Sequence, residues 1–109
     1  MRKIYLYPGD AVDTSGPNFG YALFKKNSSG DMAFELKLSR LKPDTKYDIW
    51  INQYPSTGLL SNPSVTVTTD AKGRGSASVN VNRIEGKAGF WISLKNGGEV
   101  FRSIAVDFD

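Results

Sequence analysis

The chain has 109 residues, 39% of them hydrophobic, with no cysteine and no histidine. It can therefore bury one modest core, but it offers no disulfide, no thiolate or imidazole metal ligand and no histidine general base. Its 14 basic and 11 acidic residues, net +3, alternate along the chain without a run, which describes a solvated surface and not a phosphate track.

No segment of ten or more residues holds a helical apolar period, whereas several alternate with the period of two that marks a half-buried strand. In chain order, "RKIYLY" sets Ile4 and Leu6 on one side and Tyr5 and Tyr7 on the other. "GYALFKK" is apolar on both faces, and "MAFELKLSRL" alternates Phe34, Leu36 and Leu38 with Glu35, Lys37 and Ser39; "KNSSGD" between them reads as a hairpin turn. "YDIWIN", "SVTVTT", "GSASVNV", "GFWISL" and "VFRSIAVDF" follow, with β-branched or aromatic inward sets. "DAKGRG" and "KNGGE" separate strands with glycines free to take positive φ, and Asn96-Gly97 is the strongest hairpin signal. Eight strands at these spacings predict an all-β, antiparallel sandwich or barrel spanning residues 1–109 as one domain.

In "LKPDTKY" a leucine leaves a strand, Pro43 presets the turn, Asp44 and Thr45 bond nearby amides, and Tyr47 enters the next strand. This spacing resembles the Leu-x-Pro-x-Thr-x-Tyr corner of fibronectin type III and related immunoglobulin-like modules. Tyr47 would then inherit that corner's structural role, its hydroxyl tied to upstream backbone. The resemblance covers about Leu38 to Thr69; some forty residues follow, opening with "TDAKGRGSASVNV", where a fibronectin type III domain would end. The longer run is similar to the immunoglobulin-like sandwich modules of bacterial and archaeal surface proteins. That resemblance implies a spacer, adhesion unit or binding platform without catalytic residues or cofactor, in an extracellular or cell-surface setting.

The residues agree with a non-enzymatic reading. "SRLK", Ser39 to Lys42, matches the Ser-x-x-Lys of serine acyl-enzymes but falls at a strand end beside Pro43, where that chemistry needs a helix turn. Glu35, Glu85 and Glu99 are not spaced to share a cleft. Asp10, Asp13, Thr14 and Ser15 are hard oxygen ligands in one loop but match no EF-hand, so a long connection is the simpler reading. Asn27-Ser28-Ser29 is a glycosylation acceptor triplet at a hairpin tip, meaningful only in a eukaryotic secreted protein. "GKAGFWISL" is similar to a cold-shock strand, but Lys87 and Lys95 only bracket it, so nucleic acid is not expected as a partner.

The aromatic pattern carries the most information. In "YDIWINQY" the inward set Tyr47, Ile49 and Ile51 throws Asp48, Trp50, Asn52 and Tyr54 outward; in "GFWISL" the inward Phe90, Ile92 and Leu94 do the same to Trp91 and Ser93. Rings beside short polar groups suit a protein interface or a sugar platform. Cross-strand packing with lysine stems is the plainer alternative. The expected site is thus Tyr5, Tyr7, Trp50, Asn52, Tyr54 and Trp91, facing a protein or, alternatively, a glycan. No apolar stretch approaches the roughly 18 residues of a membrane span, and "MRKIYLYPGD" has no region of signal-peptide length. The chain reads as cytoplasmic or as the mature part of an exported protein. Its strand-like ends fit an excised module of a larger multidomain chain or a complete small cytoplasmic protein, and an oligomer is a separate expectation.

Overall fold

The computed structural model describes residues 2–9, 14–27, 30–55 and 62–108. Strands β1 (Arg2–Tyr5), β2 (Tyr7–Pro8), β3 (Gly20–Lys26), β4 (Met32–Leu38), β5 (Lys46–Tyr54), β6 (Val65–Thr68), β7 (Gly75–Val81), β8 (Gly89–Asn96), β9 (Glu99–Arg102) and β10 (Val106–Asp107) form two antiparallel sheets. The smaller has the order β1-β3-β4-β7. The larger runs β2-β9-β8-β5-β6, with β10 pairing β8 beyond the end of β9. No described helix is long and apolar enough to cross a membrane.

Two sequence strands are divided. At Leu6 the first changes sheets: the Leu6 amide donates to Gly20 O and its carbonyl accepts from Phe19 N, after which Tyr7 pairs with Arg102 in the other sheet. The last is broken at Ser103, whose buried hydroxyl accepts from Ile92 N at 2.9 Å and donates to Ile104 O at 2.8 Å before β10 resumes the ladder. A strand shared between sheets closes one side of the sandwich. The second and third full-length strands, β3 and β4, form a hairpin in one sheet, whereas the constant-type immunoglobulin order puts the second and third strands in opposite sheets.

Alternation holds throughout the core. Tyr47, Ile49 and Ile51 from β5 meet Phe90, Ile92 and Leu94 from β8 and Phe34 and Leu36 from β4, all buried. The rings of Phe24, Phe34 and Phe90 pack mutually at centroid distances of 4.8 to 5.4 Å, close enough to add to the burial term.

The corner folds as the sequence implies. The Tyr47 ring is fully buried, and its hydroxyl accepts from Lys42 N at 3.1 Å and donates to Glu99 Oε1 at 3.3 Å. Lys42 Nζ in turn lies 3.4 Å from Glu99. Below it, Leu41 N donates to Gly73 O. Gly73 has φ +76°, and a Cβ there would run into Leu41 O, so glycine is required on both counts.

Candidate functional site

The outer face of the larger sheet follows from its register. One row runs Tyr7 (β2), Arg102 (β9), Ser93 (β8), Trp50 (β5). Beside it lie Trp91 opposite Asn52 on one side, and Val100, Lys95, Asp48 and Thr66 on the other. Both tryptophans thus project from one face of adjacent strands, as alternation requires.

They project outward yet are half-buried. The Arg102 guanidinium sits 4.3 Å from the Trp91 ring centroid and Lys95 Nζ 5.6 Å from that of Trp50. Both cations come from diagonal cross-strand positions, within the reach of long side chains. Asn52 Nδ2 donates to Ser93 Oγ at 3.1 Å and to Trp91 O at 3.4 Å, while Thr66 Oγ1 donates to Asp48 at 3.0 Å. Ser93, in the middle, is only 3% exposed although it faces away from the core. The result is a preformed strip of rings, each with a cation on one face, knitted by short polar groups.

Two expected members have other places. Tyr5 has the same parity as Tyr7, but the change of sheet at Leu6 sends it to the opposite side of the sandwich. There it is 37% exposed, edge-on to Tyr21, with Lys3 Nζ over both rings. Tyr54 remains on the larger sheet but is committed to packing. Its ring covers the backbone of Gly89, where a Cβ would strike both that ring and Val106 O, and its hydroxyl donates to Asp107. That bond is the main reason its phenol titrates above the usual value. Arg102, absent from the expected site, is the residue the sequence did not single out. Its position depends on the β8–β9 register, although the Asn96-Gly97 hairpin signal permits that register to be counted.

The other constellations do not assemble. Glu35 lies on the outer face of the smaller sheet and Glu99 at the Tyr47 corner, away from Glu85 in the 82–88 segment. Among the described residues no three Asp or Glu side chains gather around a cation position. Asp10 and Asp13, and the Ser28-Ser29 part of the acceptor triplet, fall outside the described residues. A depression of about 400 Å³ bounded by Tyr21, Lys37 and Arg74 lies on the smaller sheet, away from the tryptophans.

No protein-family model matches the chain, and no curated protein matches it either. Among solved structures it is similar to a double mutant of a SOD-like protein from Bacillus subtilis, with a TM-score of 0.60 and 11% identity over 94% of this chain and 95% of that one. The likeness is one of fold. Sandwich architecture is shared by immunoglobulin-like and superoxide dismutase domains without sequence similarity, so it assigns no chemistry.

Proposed function

We propose that the chain is a non-catalytic binding or structural module of a secreted or surface protein, immunoglobulin-like in its sandwich architecture though not in its strand order, and that it meets a protein partner through the Tyr7–Arg102–Trp91–Trp50 strip. The observation that carries this is the strip itself. Tyrosine, tryptophan and arginine, the side chains that dominate interface hot spots, stand together on one rigid, preorganised sheet face. A glycan is the weaker reading because Arg102 and Lys95 already occupy ring faces on which a sugar would stack. The SOD-like neighbour does not alter this. The chain has neither imidazole nor thiolate, the commonest ligands of copper and zinc centres.

The test is a peptide-display selection on the immobilised protein, run beside a titration with an oligosaccharide panel followed by tryptophan fluorescence. Peptides that bind the parent and lose affinity for Trp50→Ala support the protein reading. Saturable quenching by a glycan, lost in the same variant, replaces it with the carbohydrate one.

A further inference from the structure

An edge strand presents a row of unpaired amides and carbonyls, and folded proteins usually blunt such edges with charge, proline or shortness. Among the described residues the edge strands β1, β2, β6, β7 and the two-residue β10 are not blunted equally. β1 carries Arg2 and Lys3, β2 is two residues long, and β6 is four residues long with Pro63 just before it. By contrast β7, Gly75–Val81, is seven residues of "GSASVNV" with no charge and no proline. It pairs with β4 along its whole length and has no ladder on its other edge among the described residues. Its outward side chains Ser76, Ser78 and Asn80 are exposed. Its inward Ala77, Val79 and Val81 pack on the core but stay half-buried, because β6 of the facing sheet is too short to cover them all.

We infer that the β7 edge is a strand-addition surface whose occupant is β7 of a second copy of this chain, joined antiparallel about a two-fold axis at Ser78. The strand is self-complementary in that register. Ser78 meets itself, Ser76 meets Asn80 of the second copy, and on the inner side Ala77 meets Val79 and Gly75 meets Val81. No charge opposes a like charge, although the chain is net basic. The same operation at β1 would pair only four residues a side, Arg2 with Tyr5 and Lys3 with Ile4, and set two cations from each copy along the seam. Isologous pairing uses up both β7 edges, so assembly closes at two and the two four-stranded sheets become one of eight. The surface lies on the other sheet from the tryptophan strip, so neither reading depends on the other.

The natural absence of cysteine makes the register directly testable. Ser78→Cys places its two thiols directly opposite each other across the axis, at a cross-strand Cβ separation that a slight approach of the two strands brings within disulfide reach. Under mild oxidation Ser78→Cys should give a covalent dimer much faster than Thr68→Cys, placed on the β6 edge. In sedimentation the parent and Ser78→Thr should be dimeric, and Ser78→Lys, which sets two ammonium groups at the axis, monomeric. A parent that stays monomeric up to its solubility limit overturns the inference. So does a Ser78→Cys variant that crosslinks no faster than Thr68→Cys, and this outcome decides the matter even where Ser78→Lys fails to fold.

Discussion

The Arg102 guanidinium lies 4.3 Å from the centroid of the Trp91 ring, two residues along β8 from Ser93, which it directly opposes in the ladder. The guanidinium covers one face of an outward, half-buried tryptophan and adds a side-chain tie to the β8–β9 ladder. Removing it tests whether the strip is preorganised. Arg102→Ala should lower stability by about 1 kcal/mol, the scale of a partly exposed cation–π pair, and raise the fraction of tryptophan fluorescence quenched by iodide. Arg102→Lys should recover only part of both, since an ammonium lacks the planar stacking surface. Unchanged quenching in Arg102→Ala would remove the cap from this account.

Tyr47→Phe keeps the buried ring and deletes two hydrogen bonds, from Lys42 N and to Glu99. A loss of about 1 to 2 kcal/mol is expected in chemical denaturation, with binding by the strip unaffected. Burial raises the Tyr47 phenol above its ordinary value, with Glu99 adding to the rise against the Lys42 amide, which lowers it. The folded state therefore holds the phenolic proton to higher pH than the unfolded state. Its contribution is complete below the unfolded value of about 10 and is lost as pH climbs through the folded one. Parent stability should fall over that alkaline window more steeply than that of Tyr47→Phe. Equal slopes would mean that the phenol titrates alike in both states.

Alternation located the strands and the inward set, and the Leu-x-Pro-x-Thr-x-Tyr spacing located the Tyr47 corner, because a period of two and a Pro-Asp-Thr turn are local signals. Local signals could not show Tyr5 leaving the group. Parity runs unbroken through "RKIYLYP", and only the exchange of partners at Leu6, from Gly20 to the β9 strand, puts Tyr5 and Tyr7 on opposite sides. Nor could they show that Tyr54 would be held by Gly89 and Asp107, which come 35 and 53 residues later and reach it through the β5–β8 ladder and the β10 addition. The outward direction of Trp50 and Trp91 was legible; the degree of their cover was not, since it depends on which cations the register sets diagonal to them.

Gln53 shows what parity can say about a polar residue. It follows Tyr47, Ile49 and Ile51 in the inward set and is buried, at the end of the sandwich that β6 does not reach. There its amide donates to Asn82 O at 2.9 Å and accepts from Ile84 N at 2.8 Å, pinning the segment after β7 to β5. Gln53→Leu retains the bulk but strands both backbone groups. It should cost about 1 to 3 kcal/mol for each one left dry, a larger loss than Tyr47→Phe. Hydrogen exchange at the Ile84 amide should accelerate in the variant. Protection equal to the parent's would mean that another group or water replaces the clamp.

The sharpest test of the strip uses Trp50→Ala and Trp91→Ala, measured for stability before any partner is identified. Both rings face away from the core, so neither removal opens a cavity inside it, yet both are half-buried and each loses a cation that lies over it. A cost of about 2 kcal/mol each is expected, below the roughly 3 to 5 kcal/mol of a fully buried aromatic. For a peptide selected on the parent, the same substitutions should weaken binding by about 2 kcal/mol or more, the scale of an interface hot spot. The two measurements separate the readings because packing acts on the folding equilibrium and an interface acts on association. If both variants lose as much stability as buried aromatics do and selected peptides bind them undiminished, the rings serve only to pack β5, β8 and β9 together. The sandwich would then stand without its binding face.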